Sequence, residues 1–138
     1  MKKVIPLLTL LALTISACTI STANISEAKI CSSVSGESMM CTSDETMFAT
    51  DTPEIIVTTK LDNAMEGTKV TFTWRYLEGS EPELIDEITV ESPDIMPSYP
   101  NSTMPIPPSG MWPTGKYDVV ITLDTDNFEP IVKAFSVK

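Results

Sequence analysis

From Glu54 to the end of the chain, apolar and polar residues alternate in short runs separated by glycine, proline and polar turn residues. Ile55, Val57, Thr59 and Leu61 fall on one side of the first run, and Asn63 to Gly67 supplies a turn. Val70, Phe72, Trp74 and Tyr76 then alternate with Thr71, Thr73 and Arg75, the period of two that marks a strand with one buried face. Glu78-Gly79-Ser80-Glu81-Pro82 breaks the run. Leu84 to Glu91 reads as a weaker strand, with Ile88 and Val90 inward and Glu87, Thr89 and Glu91 outward. The strongest alternation opens at Gly115, with Tyr117, Val119, Ile121 and Leu123 set against Asp118, Val120, Thr122 and Asp124. A polar turn at Asp124 to Asn127 leads into Phe128 to Val137, where Phe135 and Val137 close the core. No segment sustains a helical period, and short strands joined by turns predict an all-β antiparallel sandwich.

The last hairpin narrows that fold. Gly115-Lys116-Tyr117-Asp118-Val119, followed by a strand ending Phe135-Ser136-Val137, resembles the terminal hairpin of bacterial immunoglobulin-like domains. The resemblance spans roughly residues 50–138 and implies that Tyr117 and the alternate residues after it fill the space between two sheets. Trp74 then stands as the buried indole of the core. The chain departs from antibody domains in lacking the cysteine pair that bridges the sheets, since its own pair lies upstream.

The first residues have a different character. Lys2 and Lys3 precede an apolar run from Val4 to Ile15, which ends in Ile15-Ser16-Ala17-Cys18. At about twelve residues the run is too short for a membrane span, which takes roughly twenty. A charged start, a short apolar run and small residues before the cut make a secretory signal over residues 1–17. The alternatives are a signal cut elsewhere and a buried core helix. The four residues at the cut resemble the lipobox of bacterial lipoproteins, which implies a lipid on Cys18 and a domain held outside the cytoplasm. Thr19, standing where an aspartate would retain an enterobacterial lipoprotein in the inner membrane, implies the outer membrane if the host is Gram-negative. Residues 18–29 are small and polar and read as a tether, leaving residues 30–138 as the sandwich domain.

Cleavage before Cys18 leaves 121 residues, room for one domain, with seven basic side chains against nineteen acidic ones. A side-chain charge of −12 argues against nucleic acid, whose phosphates demand a basic face, and against docking on anionic lipid headgroups. It favours basic partners, or simply a solvated acidic surface. With Cys18 assigned to lipid, Cys31 and Cys41 remain as an even pair with Ser35-Gly36-Glu37-Ser38 midway between them. In an oxidising compartment they predict a disulfide that staples a hairpin. The chain has no histidine and no C-x-x-C, so neither a zinc site nor catalytic redox chemistry is expected.

Pro93 to Pro113 holds seven of the eleven prolines, interleaved with Met96, Tyr99, Met104, Ile106, Met111 and Trp112. Proline cannot donate to a central ladder, so the segment is expected as extended chain along an edge. It reads either as a crossover whose apolar residues cover the core or as an exposed contact surface, with Tyr99, Met104, Met111 and Trp112 as the candidate partner-binding residues.

The remaining constellations carry little chemistry. Asp124-Thr125-Asp126-Asn127 begins like a calcium loop, but Phe128 occupies the next ligand position, so it reads as a turn. Glu81, Glu83, Asp86 and Glu87 cluster at a strand start and read as a solvated edge, whose charges discourage aggregation, before they read as an acid/base pair. No histidine is present to activate a serine, and G-x-S-x-G does not occur. The expectation is therefore a non-catalytic, cofactor-free envelope lipoprotein. Its membrane contact is the lipid on Cys18, and its immunoglobulin-like domain binds or scaffolds another envelope protein. The second expectation is an inhibitor of a basic secreted enzyme such as a lysozyme or protease.

Overall fold

A computed structural model describes residues 21–138, in which eight strands and no helix appear. The strands are β1 (Asn24–Cys31), β2 (Met47–Phe48), β3 (Glu54–Asp62), β4 (Lys69–Tyr76), β5 (Glu83–Glu91), β6 (Asn101–Pro105), β7 (Gly115–Leu123) and β8 (Ile131–Val137). The signal segment and the lipobox, Ile15 to Cys18, lie outside the described residues. The strands form a three-stranded sheet in the order β1-β3-β6 and a five-stranded sheet in the order β2-β8-β7-β4-β5. All pairings are antiparallel except the short β2, which runs parallel to β8 through Met47 and Phe48.

This is an immunoglobulin-like β-sandwich. Its opening segment is divided between the sheets, β1 in one and β2 in the other, and the chain crosses between sheets around the central β3, β4 and β7. Tyr117, near the start of β7, donates its hydroxyl back to the Pro113 carbonyl at 2.6 Å, the tyrosine-corner contact of this fold. Trp74 on β4 is buried, and its indole N–H donates to the Ser102 hydroxyl of β6 at 2.9 Å, tying the two sheets together. Val119, two residues after Tyr117 where antibody domains carry a bridging cysteine, is fully buried.

The alternation read from the sequence is the alternation of the core. Val70, Phe72 and Trp74 on β4 meet Tyr117, Val119, Ile121 and Leu123 on β7 and Phe135 and Val137 on β8, all in one buried cluster. Tyr117 stacks on Phe135 at 5.1 Å between ring centroids, and Phe48 and Trp74 meet Phe135 edge-on. Such aromatic pairs each contribute about 0.5–1.5 kcal/mol beyond their buried area.

β3 buries both faces. Ile55, Val57, Thr59 and Leu61 face the main core, whereas Ile56 and Thr58 on the other face are also buried. The second face is covered by the loop that the Cys31–Cys41 disulfide closes. Ile56 packs with both cysteines and Val34 in a small separate cluster, and the Cys41 N–H donates to the Thr58 hydroxyl at 3.1 Å.

Three placements differ from the sequence reading. β1 begins at Asn24, so residues 24–29, half of the expected tether, are sheet. A bulge between Ile25 and Glu27 shifts the register, which breaks the period of two and hides the strand. The proline-rich segment contains a strand, β6, which pairs with β3 from Asn101↔Thr58 to Pro105↔Glu54. It is an edge strand, so the missing N–H of Pro105 costs no ladder bond. Asp118, expected on a solvated face, is buried beneath the guanidinium of its cross-strand neighbour Arg75, which donates to both carboxylate oxygens at 2.8 and 2.6 Å.

Candidate functional site

The four candidate contact residues of the proline-rich segment do not form a surface. Trp112 is 3 % exposed: its indole N–H donates to the Thr52 carbonyl at 2.8 Å, its backbone N–H donates to the Thr50 carbonyl, and its ring meets Tyr117 edge-on at 6.0 Å. An indole with a satisfied N–H gains most from complete burial, so Trp112 serves the core. Met104 is half-buried and packs against the same core. Tyr99 and Met111 are exposed, but they lie before and after β6, whose five residues separate them by about 16 Å of strand. The segment is thus a double crossover that lends one strand to the smaller sheet and one tryptophan to the core.

The apolar surface lies elsewhere. Leu84 and Ile85, 60 % and 40 % exposed, stand at the start of β5. With Pro107, Trp112, Pro113 and Tyr117 they line a depression of about 340 Å³ at one end of the sandwich. β4 pairs Trp74 with Asp86 and Arg75 with Leu84, so Ile85 is the extra residue of a bulge. The signal in the sequence was the adjacent Leu84-Ile85 pair, two apolar residues in a row inside an otherwise alternating strand. A bulge re-aims side chains in this way.

The hydroxyls and the indole N–H around the depression are already engaged, whereas the exposed Glu83 carboxylate on its lining is held by no hydrogen bond or ion pair among the described residues. The Tyr76 hydroxyl donates to the Thr114 carbonyl at 2.8 Å, and the Tyr117 hydroxyl and Trp112 indole are held as described. Burial pushes the Tyr117 hydroxyl up to about 12, with the neighbouring Tyr76 adding to the shift. No convergent free donor is left to orient a small polar ligand, so the depression offers shape and apolar area.

Its rim is acidic. β5 carries Glu83, Asp86, Glu87 and Glu91 and no basic residue. Asp86 accepts the Glu87 N–H at 2.9 Å and Glu87 accepts the Thr73 hydroxyl at 3.1 Å. Among the described residues the ion pairs are Arg75–Asp118 and Lys133–Asp44, and neither engages a β5 carboxylate. The acidic cluster stands exposed on the sheet edge, as the sequence suggested. Among the described residues no group of three or more histidine, cysteine, aspartate or glutamate side chains is placed to hold a metal. Asp124 is used structurally, its carboxylate accepting the Lys69 N–H at 2.8 Å to fasten β4 to the turn after β7.

No family model matches the sequence, and no curated protein matches it. Among solved structures the chain is similar to a Niemann-Pick type C2 protein from the Japanese carpenter ant, at 12 % identity and a TM-score of 0.49, over 88 % of this chain and 96 % of that one. It is also similar to part of a β-glucosidase from Listeria innocua (13 % identity, TM-score 0.45, 84 % of this chain) and of one from Erythrobacter marinus (9 %, 0.46, 85 %). The chain spans only 16 % and 15 % of those two enzymes.

Proposed function

We propose that this chain is a lipid-anchored module of a bacterial cell envelope whose immunoglobulin-like domain binds another envelope protein by contact, without catalysis. The observation that carries the reading is the exposed Leu84-Ile85 depression on the acidic edge of the larger sheet. Its donors, the Tyr76 and Tyr117 hydroxyls and the Trp112 indole N–H, are satisfied within the domain, so it suits a protein surface better than a reacting small molecule. The closed Cys31–Cys41 disulfide fits an oxidising compartment. The signal segment and Cys18 supply the route and the anchor in this reading, leaving five residues between the lipid-bearing cysteine and β1.

Two measurements on the full chain in a bacterial host test it. Labelled palmitate is expected on the chain and lost in Cys18→Ala; label retained by that variant rules out the anchor. A photo-cross-linking residue at Leu84 is expected to capture one discrete envelope protein that the same residue at Val132, exposed on β8, does not. Equal capture from both positions, or none from either, removes the reading that an envelope protein binds at the depression.

The β5 carboxylates, engaged by no cation among the described residues, favour one second reading, inhibition of a basic secreted enzyme. Turnover by basic lysozymes and proteases that falls on adding the chain, and recovers at high salt, supports that reading. Turnover unaffected across such a panel removes it.

A further inference from the structure

The sandwich has four edge strands, β1 and β6 in the smaller sheet and β2 and β5 in the larger. Three of them are short or covered. β2 has two residues, and β6 has five and ends at Pro105. β1 is closed off by the loop before β2: the Ile30 N–H donates to Asp44, the Ser32 N–H just beyond the strand donates to Glu45, and the Glu45 N–H donates to the Ile30 carbonyl. β5 is different, with nine residues, no proline, and backbone bonds to β4 alone.

β5 also overhangs. The indole of Trp74 reaches Ser102, which places the edge strand β6 across from β4. The larger sheet continues one strand further, to β5, with nothing from the smaller sheet beyond β6 to face it. Ile88 and Val90, paired with the buried Phe72 and Val70, are therefore only half-buried. A long, uncovered strand edge is a template for a further strand.

Charge selects the occupant. Glu83, Asp86, Glu87 and Glu91 punctuate β5, so a second copy would set carboxylate against carboxylate, which is unfavourable in a cross-strand pair. A strand bearing lysine or arginine reverses that term, and the acidic surface of the domain would draw it in.

We propose that β5 accepts an extended, basic segment of a protein partner as a sixth strand of the larger sheet. An apolar side chain of that segment sits in the depression at Leu84 and Ile85, and its cationic side chains stand opposite the β5 carboxylates. The inference rests on the protein-binding reading above and adds the site, the mode and the chemistry of the partner.

The probe is a ten-residue peptide of alternating valine and lysine, titrated onto the full chain in nanodiscs of zwitterionic phosphatidylcholine. Its controls are the valine–glutamate peptide, a proline-interrupted valine–lysine peptide and empty nanodiscs. The valine–lysine peptide is expected to bind and to slow amide hydrogen exchange over residues 83–91. Binding is expected to weaken at least tenfold for either control peptide, and likewise for the Leu84→Asp/Ile85→Asp and Glu83→Lys/Glu87→Lys variants, both of which should keep the wild-type unfolding midpoint. No binding, equal binding of the valine–glutamate peptide, protection elsewhere in the sheet, or full affinity in the variants each overturns the proposal. Equal signal from empty nanodiscs assigns the contact to lipid. A dimer in sedimentation that Leu84→Asp/Ile85→Asp dissolves assigns the edge to a second copy, and either result overturns it too. A specific Leu84 cross-link to an envelope protein without peptide binding defeats strand addition and leaves protein binding standing; peptide binding with no cross-link does the reverse.

Discussion

β4 and β5 lie side by side, joined from Lys69↔Glu91 to Tyr76↔Glu83, yet they are nearly opposite in environment. On β4 the residues Val70, Phe72 and Trp74 are at most 1 % exposed; on β5 Leu84 is 60 % exposed and Ile85 40 %. Both strands contain apolar residues and both belong to one hydrogen-bonded ladder. What separates them is what lies across the sandwich: β6 stands over β4, and the smaller sheet ends before β5. Strand pairing thus sets backbone order, whereas burial is decided by the facing layer. In one fold, a core strand and an unoccupied edge can differ by a single ladder step of about 4.8 Å.

The largest expected effect breaks the β4 side of that contrast. Trp74→Ala removes an indole that contacts Phe135 and leaves the buried Ser102 hydroxyl without its donor. Loss of about 3–5 kcal/mol is expected, read as a shift of the denaturant midpoint, and a loss below about 1 kcal/mol contradicts the packing described. Trp74→Phe, which keeps an apolar ring and loses the hydrogen bond, is expected to fall between that variant and the wild type. Next in size is the disulfide. Replacing Cys31 and Cys41 together by alanine reopens the loop over β3 and exposes Ile56 and Thr58, a loss of about 2–3 kcal/mol by loop-closure entropy. A midpoint unchanged by the double replacement would show that the loop covers β3 without the bond.

The contrast also explains what could be read in advance. β3, β4, β7 and the end of β8 announced themselves because a facing layer makes alternation obligatory, and most residues expected inward on them are the core. Tyr76 at the end of β4 and Ile88 and Val90 on β5, also expected inward, are half-buried. β1 stayed hidden because its bulge between Ile25 and Glu27 interrupts the period. β2 is too short to carry a pattern at two residues. Composition left Trp112 open between two roles: tryptophan beside prolines fits an interface as well as a core, and the carbonyl of Thr52, sixty residues away in sequence, is what ties this one into the core. The Leu84-Ile85 depression needs the return of Pro107 and Pro113 from the other sheet, a long-range closure that no local pattern encodes. The Arg75–Asp118 pair was within reach, since cross-strand neighbours of opposite charge were implied by the β4–β7 alternation once their register was known.

A smaller effect tests the corner where the two environments meet. Tyr117 is 2 % exposed, and its hydroxyl is pushed up to about 12 by burial, with Tyr76 adding to it. An unfolded tyrosine ionises near 10, so between about 10 and 12 the folded state holds a proton that the unfolded state has lost. Stability from this group is therefore intact below about pH 10 and declines as pH rises through 10 to 12. Denaturation midpoints across that range are expected to fall for the wild type and to flatten in Tyr117→Phe, which lacks the ionising group. A slope as steep in the variant as in the wild type would place the alkaline sensitivity elsewhere.

The smallest expected effect is the most exacting test of β5. Leu84→Asp places a charge on an apolar residue in the middle of the depression, a change that in β4 would unfold the domain. At Leu84 the side chain already faces water and stands opposite Arg75, whose guanidinium is held by Asp118. No cavity forms and no buried donor is orphaned, so the unfolding midpoint should move by no more than about 0.5 kcal/mol. A loss of several kcal/mol would mean that another part of the chain covers this edge in solution, and the edge would then be occupied by the protein itself. Near-neutral stability leaves Leu84 and Ile85 as apolar area that the fold does not require, and therefore area open to a partner.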